Sequence, residues 1–404
     1  MEGETRMKGR RNFIKGVIFG AVVSFATSLL IFLALFNKNP ISGLSGNDLI
    51  DRETMQKIQY IRQLIDENYL YSDDISDEEL QEALIKGYVA GLKEPYSIYY
   101  SKEEANALFE TTSGTFGGIG VAIQQDRTTG LITFTRVYEN APGEKGGFKA
   151  GDIVYKVNGE DVSGQDLDTV VSKIRGEVGT QVELTVLRGE TREEYTAKVT
   201  RALIENDTVS YEMKEGKIGY ILVTGFEEVT YKQFNAAMDA LNSQGMKGLV
   251  IDLRNNPGGN LSTVCQMVDL ILGKGNVVSI KDKHGNTQSY MSDETTKLNV
   301  PLVVLTNGYS ASASEIFAGA VQDYKIGTIV GTTTYGKGIV QNVYKLYDGT
   351  ALKITSAEYF TAKGRNIHGI GIVPDVEIEY KSDAENPNAD NQLEKAYEIL
   401  KKGM

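Results

Sequence analysis

Twice between residues 217 and 375 a short apolar run ends in a turn rich in glycine, asparagine or serine and passes into a helical pattern. Gly248 to Leu253 leads to Leu261 to Leu272, and Leu302 to Leu305 leads to a helix from about Ser312 to Tyr324. Gly327 to Gly331 reads as a further strand. Strands alternating with helices make this segment α/β, an architecture that places its sites at strand-to-helix junctions.

The flanking segments have other periods. Residues 112–202 alternate with period two at Gly120-Val121-Ala122-Ile123, Ile132-Thr133-Phe134, Asp152 to Tyr155 and Val182, Leu184, Val186. One helix, with Leu167, Val170, Val171 and Ile174 on a single face, interrupts them, so a compact and mostly β domain is expected. Residues 50–110 read as helical from Met55, Ile58, Ile61, Leu64 and Ile65, with capping boxes at Ser76…Glu79 and Ser101…Glu104. After a polar linker, Lys381 to Asn391, a short amphipathic helix is expected over Leu393 to Leu400.

At the other end, Arg6, Lys8, Arg10, Arg11 and Lys15 precede an uncharged stretch from Gly16 to Phe36. Such a stretch is long enough to cross a hydrocarbon core of ~30 Å, and its basic flank stays in the cytoplasm. A cleaved signal peptide is the competing reading. The exit Leu33-Ala34-Leu35-Phe36-Asn37 lacks a small-x-small pair, which favours a retained anchor. The expected organisation is a basic segment (1–15), a transmembrane helix (16–36), a linker (37–48), a helical region (49–111), the β domain (112–202), an α/β core (203–380) and a tail (381–404).

Net charge of −12, with no dense Lys/Arg stripe beyond the N-terminus, argues against nucleic acid. The single cysteine, Cys265, rules out an intrachain disulfide framework and reads as a small buried hydrophobe. No His-Glu-x-x-His or comparable ligand cluster is present, so neither metal nor cofactor is expected.

Three segments carry chemistry. In Asn307-Gly308-Tyr309-Ser310-Ala311-Ser312-Ala313-Ser314-Glu315, small residues allow a tight turn and a protruding hydroxyl beside free helix N-terminal amides. In Tyr335-Gly336-Lys337-Gly338, followed by Gln341, glycines let a lysine approach a partner closely. To act as a base that lysine must be neutral, which burial promotes. Leu253-Arg254-Asn255-Asn256-Pro257-Gly258-Gly259 exposes consecutive backbone N–H groups, as an oxyanion hole requires. Taken singly these are a helix cap, a surface turn and a β-to-α turn.

In this order, however, the three segments resemble the carboxyl-terminal processing peptidases, the tail-specific proteases. Gly364-Arg365-Asn366-Ile367 through Gly371-Ile372-Val373-Pro374-Asp375 is similar to that family's C-terminal signature, although Ala362 stands where the family often has proline. The resemblance runs from about Leu49 to Glu377. It implies a crotonase-like ββα peptidase core, with Ser312 as nucleophile, Lys337 as general base and Gln341 orienting Lys337. The oxyanion hole would take the amide of Ala313 and that of Gly258 or Gly259. The β domain resembles the family's PDZ domain, with Gly118, Ile119, Gly120 and Val121 as the loop and strand that capture a peptide's terminal carboxylate.

The expectation is therefore a single-pass cell-membrane protein whose extracytoplasmic part cleaves near the C-terminal tails of protein substrates and self-associates, at least as a dimer. Two rival readings stand beside this one. A Ser-His hydrolase has only His284 and His368 to draw on. A catalytically idle PDZ scaffold would have no need of Ser312, Lys337 and Gln341 together.

Overall fold

The computed structural model describes residues 51–293, 296–382, 386 and 389–403. The chain forms two compact units, one ending at Gln81 and the other starting at Glu82. The first contains helix α1 (Arg52–Asn68), capped by Asp51, and the start of α2 (Asp77–Ala90). The expected capping box opens α2, with Ser76 N–H donating to Glu79 Oε2 at 2.8 Å and Glu79 N–H to Ser76 Oγ at 3.2 Å.

In the second unit a strand, β1 (Ile98–Tyr100), interrupts the region expected to be wholly helical. It pairs with Ala351 to Lys353, far downstream, so no local periodicity could reveal it. The second capping box, Ser101 with Glu104, then opens α3 (Lys102–Ser113).

The β domain follows as β2 (Thr115–Gly118), β3 (Val121–Gln125), β4 (Ile132–Val137), α4 (Pro142–Lys145), β5 (Ile153–Val157), β6 (Glu160–Asp161), α5 (Leu167–Ile174), β7 (Gln181–Arg188), β8 (Glu193–Thr200) and β9 (Ala202–Glu205). Its sheet runs β3-β4-β5-β7-β8 and leaves β3 at an edge; β2 and β9 pair separately as a ribbon at the domain's entry and exit. The inward alternation gives it a core of its own, including Ile119, Phe134, Val154, Val170, Leu184 and Val186. Asp152, 1% exposed, is held there by Arg188 through two hydrogen bonds of 2.7 Å.

The α/β core comprises β10 (Val209–Lys214), β11 (Ile218–Val223), α6 (Thr230–Ser243), β12 (Gly248–Asp252), α7 (Leu261–Asp269), β13 (Gly275–Asp282), β14 (Thr287–Ser292), β15 (Leu302–Thr306), α8 (Ala313–Tyr324), β16 (Thr328–Gly331), β17 (Ile339–Lys345), β18 (Ala351–Thr361), β19 (Val376–Glu377) and α9 (Asn391–Gly403). One sheet runs β10-β11-β12-β15-β16-β19 and is parallel from β11 onward. A second joins β1, β18, β13 and β14, with β17 on β18. Both β12 and β15 are buried at every residue because the sheet is covered on both faces. Ile221, Leu249, Ile251 and Val304 pack with Phe234, Met238, Met267 and Phe317, while Val250, Val303 and Leu305 pack with Ala396 and Leu400 of α9. The tail helix is thus the cover of one sheet face.

Helix α7 ends at Asp269, short of the expected Leu272, and Leu270 to Leu272 are buried in the turn beyond it. Among the described residues no helix is long and apolar enough to cross a membrane; the stretch 16–36 expected to do so lies outside the described residues.

Candidate active site

The turn after β12 and the turn before α8 are stitched together by the serines that flank Ser312. Ser310 Oγ donates to Leu253 O at 2.8 Å, Ser314 Oγ donates to Asn256 O at 2.9 Å, and Ala311 N–H donates to Asn256 O at 3.0 Å. Both serines are fully buried, whereas Ser312 lines a cavity of about 570 Å³. The alternating serines therefore divide their work, two fastening the turn and one presented.

Ser312 sits at φ 55°, ψ −111°, a conformation that costs a non-glycine residue about 1–3 kcal/mol. Its N–H donates to Glu315 Oε2 at 2.8 Å, and its carbonyl accepts from the buried Tyr359 hydroxyl at 3.1 Å. Glu315, wholly buried, also accepts from Lys337 N–H (2.8 Å), Gly336 N–H (2.7 Å) and the Thr334 hydroxyl (2.6 Å). One carboxylate thus fixes the backbone of the serine segment to that of the lysine segment.

The Ala313 and Gly259 amides have no protein acceptor among the described residues, whereas Gly258 N–H donates to Asn256 Oδ1 at 2.9 Å. Gly258, at φ +104°, is close to Ser312: a Cβ there would meet Ala311 O at 2.7 Å, Ser312 Cβ at 2.9 Å and Ala313 N at 3.0 Å. The two glycines left open by the sequence therefore differ. Gly258 gives the clearance, and Gly259 has the unspent N–H.

Lys337 lines the same cavity, with Nζ over the Tyr96 ring at 4.5 Å. Burial holds its pKa below the ordinary lysine value, the nearby Lys353 charge adds to this, and Glu94 and Glu315 oppose it. The Tyr96 hydroxyl, bonded to that of Tyr335 at 3.4 Å, has its pKa pushed up to about 12 and stays neutral. Gln341 also lines the cavity, but its amide donates to Thr355 Oγ1 at 3.2 Å, and Thr355 in turn donates to Glu94. No hydrogen bond joins Gln341 to Lys337 among the described residues.

Neither histidine lines the cavity. His284 is in an exposed turn, its N–H bonded to Asp282, and exposed His368 accepts weakly from Gly338 N–H at 3.3 Å. Cys265, on α7, is partly buried, and burial pushes its thiol up to about 12, so it stays protonated. No group of His, Cys, Asp or Glu among the described residues has the arrangement to hold a metal.

Gly118, Ile119, Gly120 and Val121 line a second cavity, about 320 Å³, between the β3 edge and Leu167, Val171 and Ile174 of α5. Gly143 N–H donates to Ile119 O (2.6 Å) and Tyr138 N–H to Gly120 O (3.0 Å), while the Ile119 and Gly120 amides have no acceptor among the described residues. Arg175 stacks on Phe116 at one end, 3.9 Å from the ring centroid.

Reading the sequence singled out Ser312 and Lys337 but missed Glu315 as a brace, Tyr359, Tyr96, Glu94 and Asn256. Glu315 had a local signal, because it stands three residues after a helix-capping serine. Tyr359, Tyr96 and Glu94 had none, since only folding brings Tyr359 to the cavity, Tyr96 under Lys337 and Glu94 beside Thr355.

Residues 217–378 match peptidase family S41, residues 133–188 match a PDZ domain, and residues 35–104 match the N-terminal domain of the activating protease CtpB. A "Probable CtpA-like serine protease" of Staphylococcus aureus is 34% identical over 366 residues, 90% of this chain and 72% of that protein. Its counterpart in Staphylococcus saprophyticus is 35% identical over 373 residues, 92% of this chain and 74% of that protein. The solved photosystem II D1 C-terminal processing protease is 31% identical, with a TM-score of 0.46 over 83% of this chain and 89% of that one. With relatives this similar over nine-tenths of its length, the chain belongs to peptidase family S41 and is a C-terminal processing serine protease with a PDZ domain.

Proposed function

We propose that the chain is an endopeptidase cutting near the C-terminal tails of protein substrates, with Ser312 as nucleophile and Lys337 as its general base. The observation that carries this reading is the pair of segments braced by Glu315, which presents Ser312 and Lys337 to one cavity beside the unspent amides of Ala313 and Gly259. A serine hydroxyl attacks a carbonyl well only when a base takes its proton. Lys337, whose pKa burial lowers, accepts that proton in its neutral form once Nζ leaves the Tyr96 ring. The developing oxyanion then meets Ala313 and Gly259 N–H. Gln341 orients the lysine in this scheme only after its amide leaves Thr355. At the second cavity, the loop Gly118 to Gly120 takes the substrate's terminal carboxylate and Val121 begins the edge to which the tail adds as a strand.

The uncharged stretch Gly16 to Phe36 supports a retained membrane anchor with the catalytic part outside the cytoplasm. Exposed Tyr60, Ile61, Leu64 and Leu70 in the first unit support self-association. The mechanism is tested by Ser312→Ala, Lys337→Ala and Lys337→Arg, each expected to abolish cleavage of a tail peptide while His284→Ala and His368→Ala retain it. Arginine fails because guanidinium does not deprotonate. Since the Lys337 pKa is lowered and the neutral form reacts, activity rises with pH through a value below that of an ordinary lysine. Wild-type turnover by Lys337→Ala, or a dead His368→Ala, overturns the assignment.

A further inference from the structure

The cavity that holds Ser312 and Lys337 holds a second lysine. Lys353 lies on β18 opposite Val343 of β17, and the next pair on that face is Thr355 opposite Gln341. Opposed residues of an antiparallel pair share a face, as do residues two apart on one strand. Lys353 therefore stands beside the Gln341–Thr355 hydrogen bond, with Gln341, Val343 and its own side chain all lining the cavity. Its Nζ is 5.2 Å from the Tyr100 ring centroid, and no acidic side chain pairs with it among the described residues.

The nearby carboxylates are already engaged. Glu315 is saturated by four donors, and Glu94 accepts from Ser97, Tyr96 and Thr355. Glu227, which also lines the cavity, accepts from Asn206, and burial raises its pKa. The cavity of a protein with net charge −12 thus contains a lysine ammonium with no counter-ion of its own. A partly enclosed cation favours an anionic ligand and disfavours a cationic one.

We propose that Lys353 is a specificity-determining residue that receives a carboxylate of the polypeptide lying across Ser312. The inference rests on the reading of this cavity as the peptidase site. The carboxylate is either an aspartate or glutamate side chain near the scissile bond or the terminal carboxylate of the tail itself.

The test uses the full-length protein and a peptide series with Glu, Gln or Lys at each position flanking the scissile bond, each as free acid and as amide. In the wild type, Glu at one position outperforms Gln by roughly 5- to 30-fold in kcat/KM, mostly through KM. Lys353→Ala and Lys353→Met abolish that ratio, Lys353→Arg keeps it, and Lys353→Glu turns the preference to Lys. If the terminal carboxylate is the group received, the acid-over-amide ratio follows the same pattern. An acid-over-amide ratio that survives Lys353→Ala belongs to the Gly118 to Gly120 loop. No carboxylate preference in the wild type, or one that Lys353→Ala and Lys353→Glu leave unchanged, overturns the proposal. Binding of the same peptides to Ser312→Ala, with and without Lys353→Ala, separates the two readings. A charge preference there without wild-type cleavage sinks the peptidase reading and leaves the carboxylate subsite standing.

Discussion

Replacing Glu315 by glutamine changes one oxygen to an NH2 in a fully buried site where four donors converge. One oxygen of the carboxylate serves Ser312 and Lys337 N–H, and the other serves Gly336 N–H and the Thr334 hydroxyl. A carboxamide can satisfy only one of these pairs. If its oxygen faces Ser312 and Lys337, the Thr334 hydroxyl can rotate to accept, but Gly336 N–H is left facing another N–H. In the reverse orientation two backbone N–H groups are stranded. The better arrangement strands one buried donor, at about 1–3 kcal/mol, and weakens two charge-assisted bonds by about 1 kcal/mol each. The sum, about 3–5 kcal/mol, is a large share of the ~5–15 kcal/mol typical of a folded domain. Urea denaturation reads the stability, and tail-peptide turnover reads the alignment of Ser312 with Lys337. Because Glu315 raises the Lys337 pKa, its loss also moves the rise of activity with pH to lower pH. Glu315→Gln within about 1 kcal/mol of the wild type and within twofold of its turnover would refute the brace.

Gly258→Ala places a methyl group 2.9 Å from Ser312 Cβ at φ +104°, so a folded variant with collapsed kcat is expected; normal kcat would show that the turn does not form the site. Tyr359→Phe removes the hydroxyl donor to Ser312 O and leaves it the Glu315 and Ile316 N–H groups, which should cost about 1 kcal/mol in a melting experiment and lower kcat more than it raises KM. Leu400→Ala opens the contact between α9 and the sheet, where Leu400 is 1% exposed, and should cost about 2–4 kcal/mol by urea denaturation. A loss under ~1 kcal/mol would mean that α9 is a loosely docked tail.

The sequence by itself determined the elements with strong local signals. The apolar runs at β12 and β15, the period-two domain, both capping boxes and the tail helix were legible because each depends on neighbours within a few residues. Ser312 and Lys337 were singled out only through the family resemblance that the order of their turns carries. Strand β1 was not legible, because a three-residue strand is defined by its partner on β18. Sequence alone left the serine cluster ambiguous without a family resemblance; the tertiary structure separated Ser310 and Ser314 from Ser312 by burying the first two against the β12 turn. The same holds for Gly258 and Gly259, which differ in that Asn256 occupies the N–H of Gly258 and that Gly258 lies against Ser312. The surroundings of Lys337 were decided last and least locally, since Glu94 with Tyr96, Glu315 and Lys353 come from three separate segments. A lysine's proton affinity is set by burial and nearby charge, and those exist only once the chain has closed on itself.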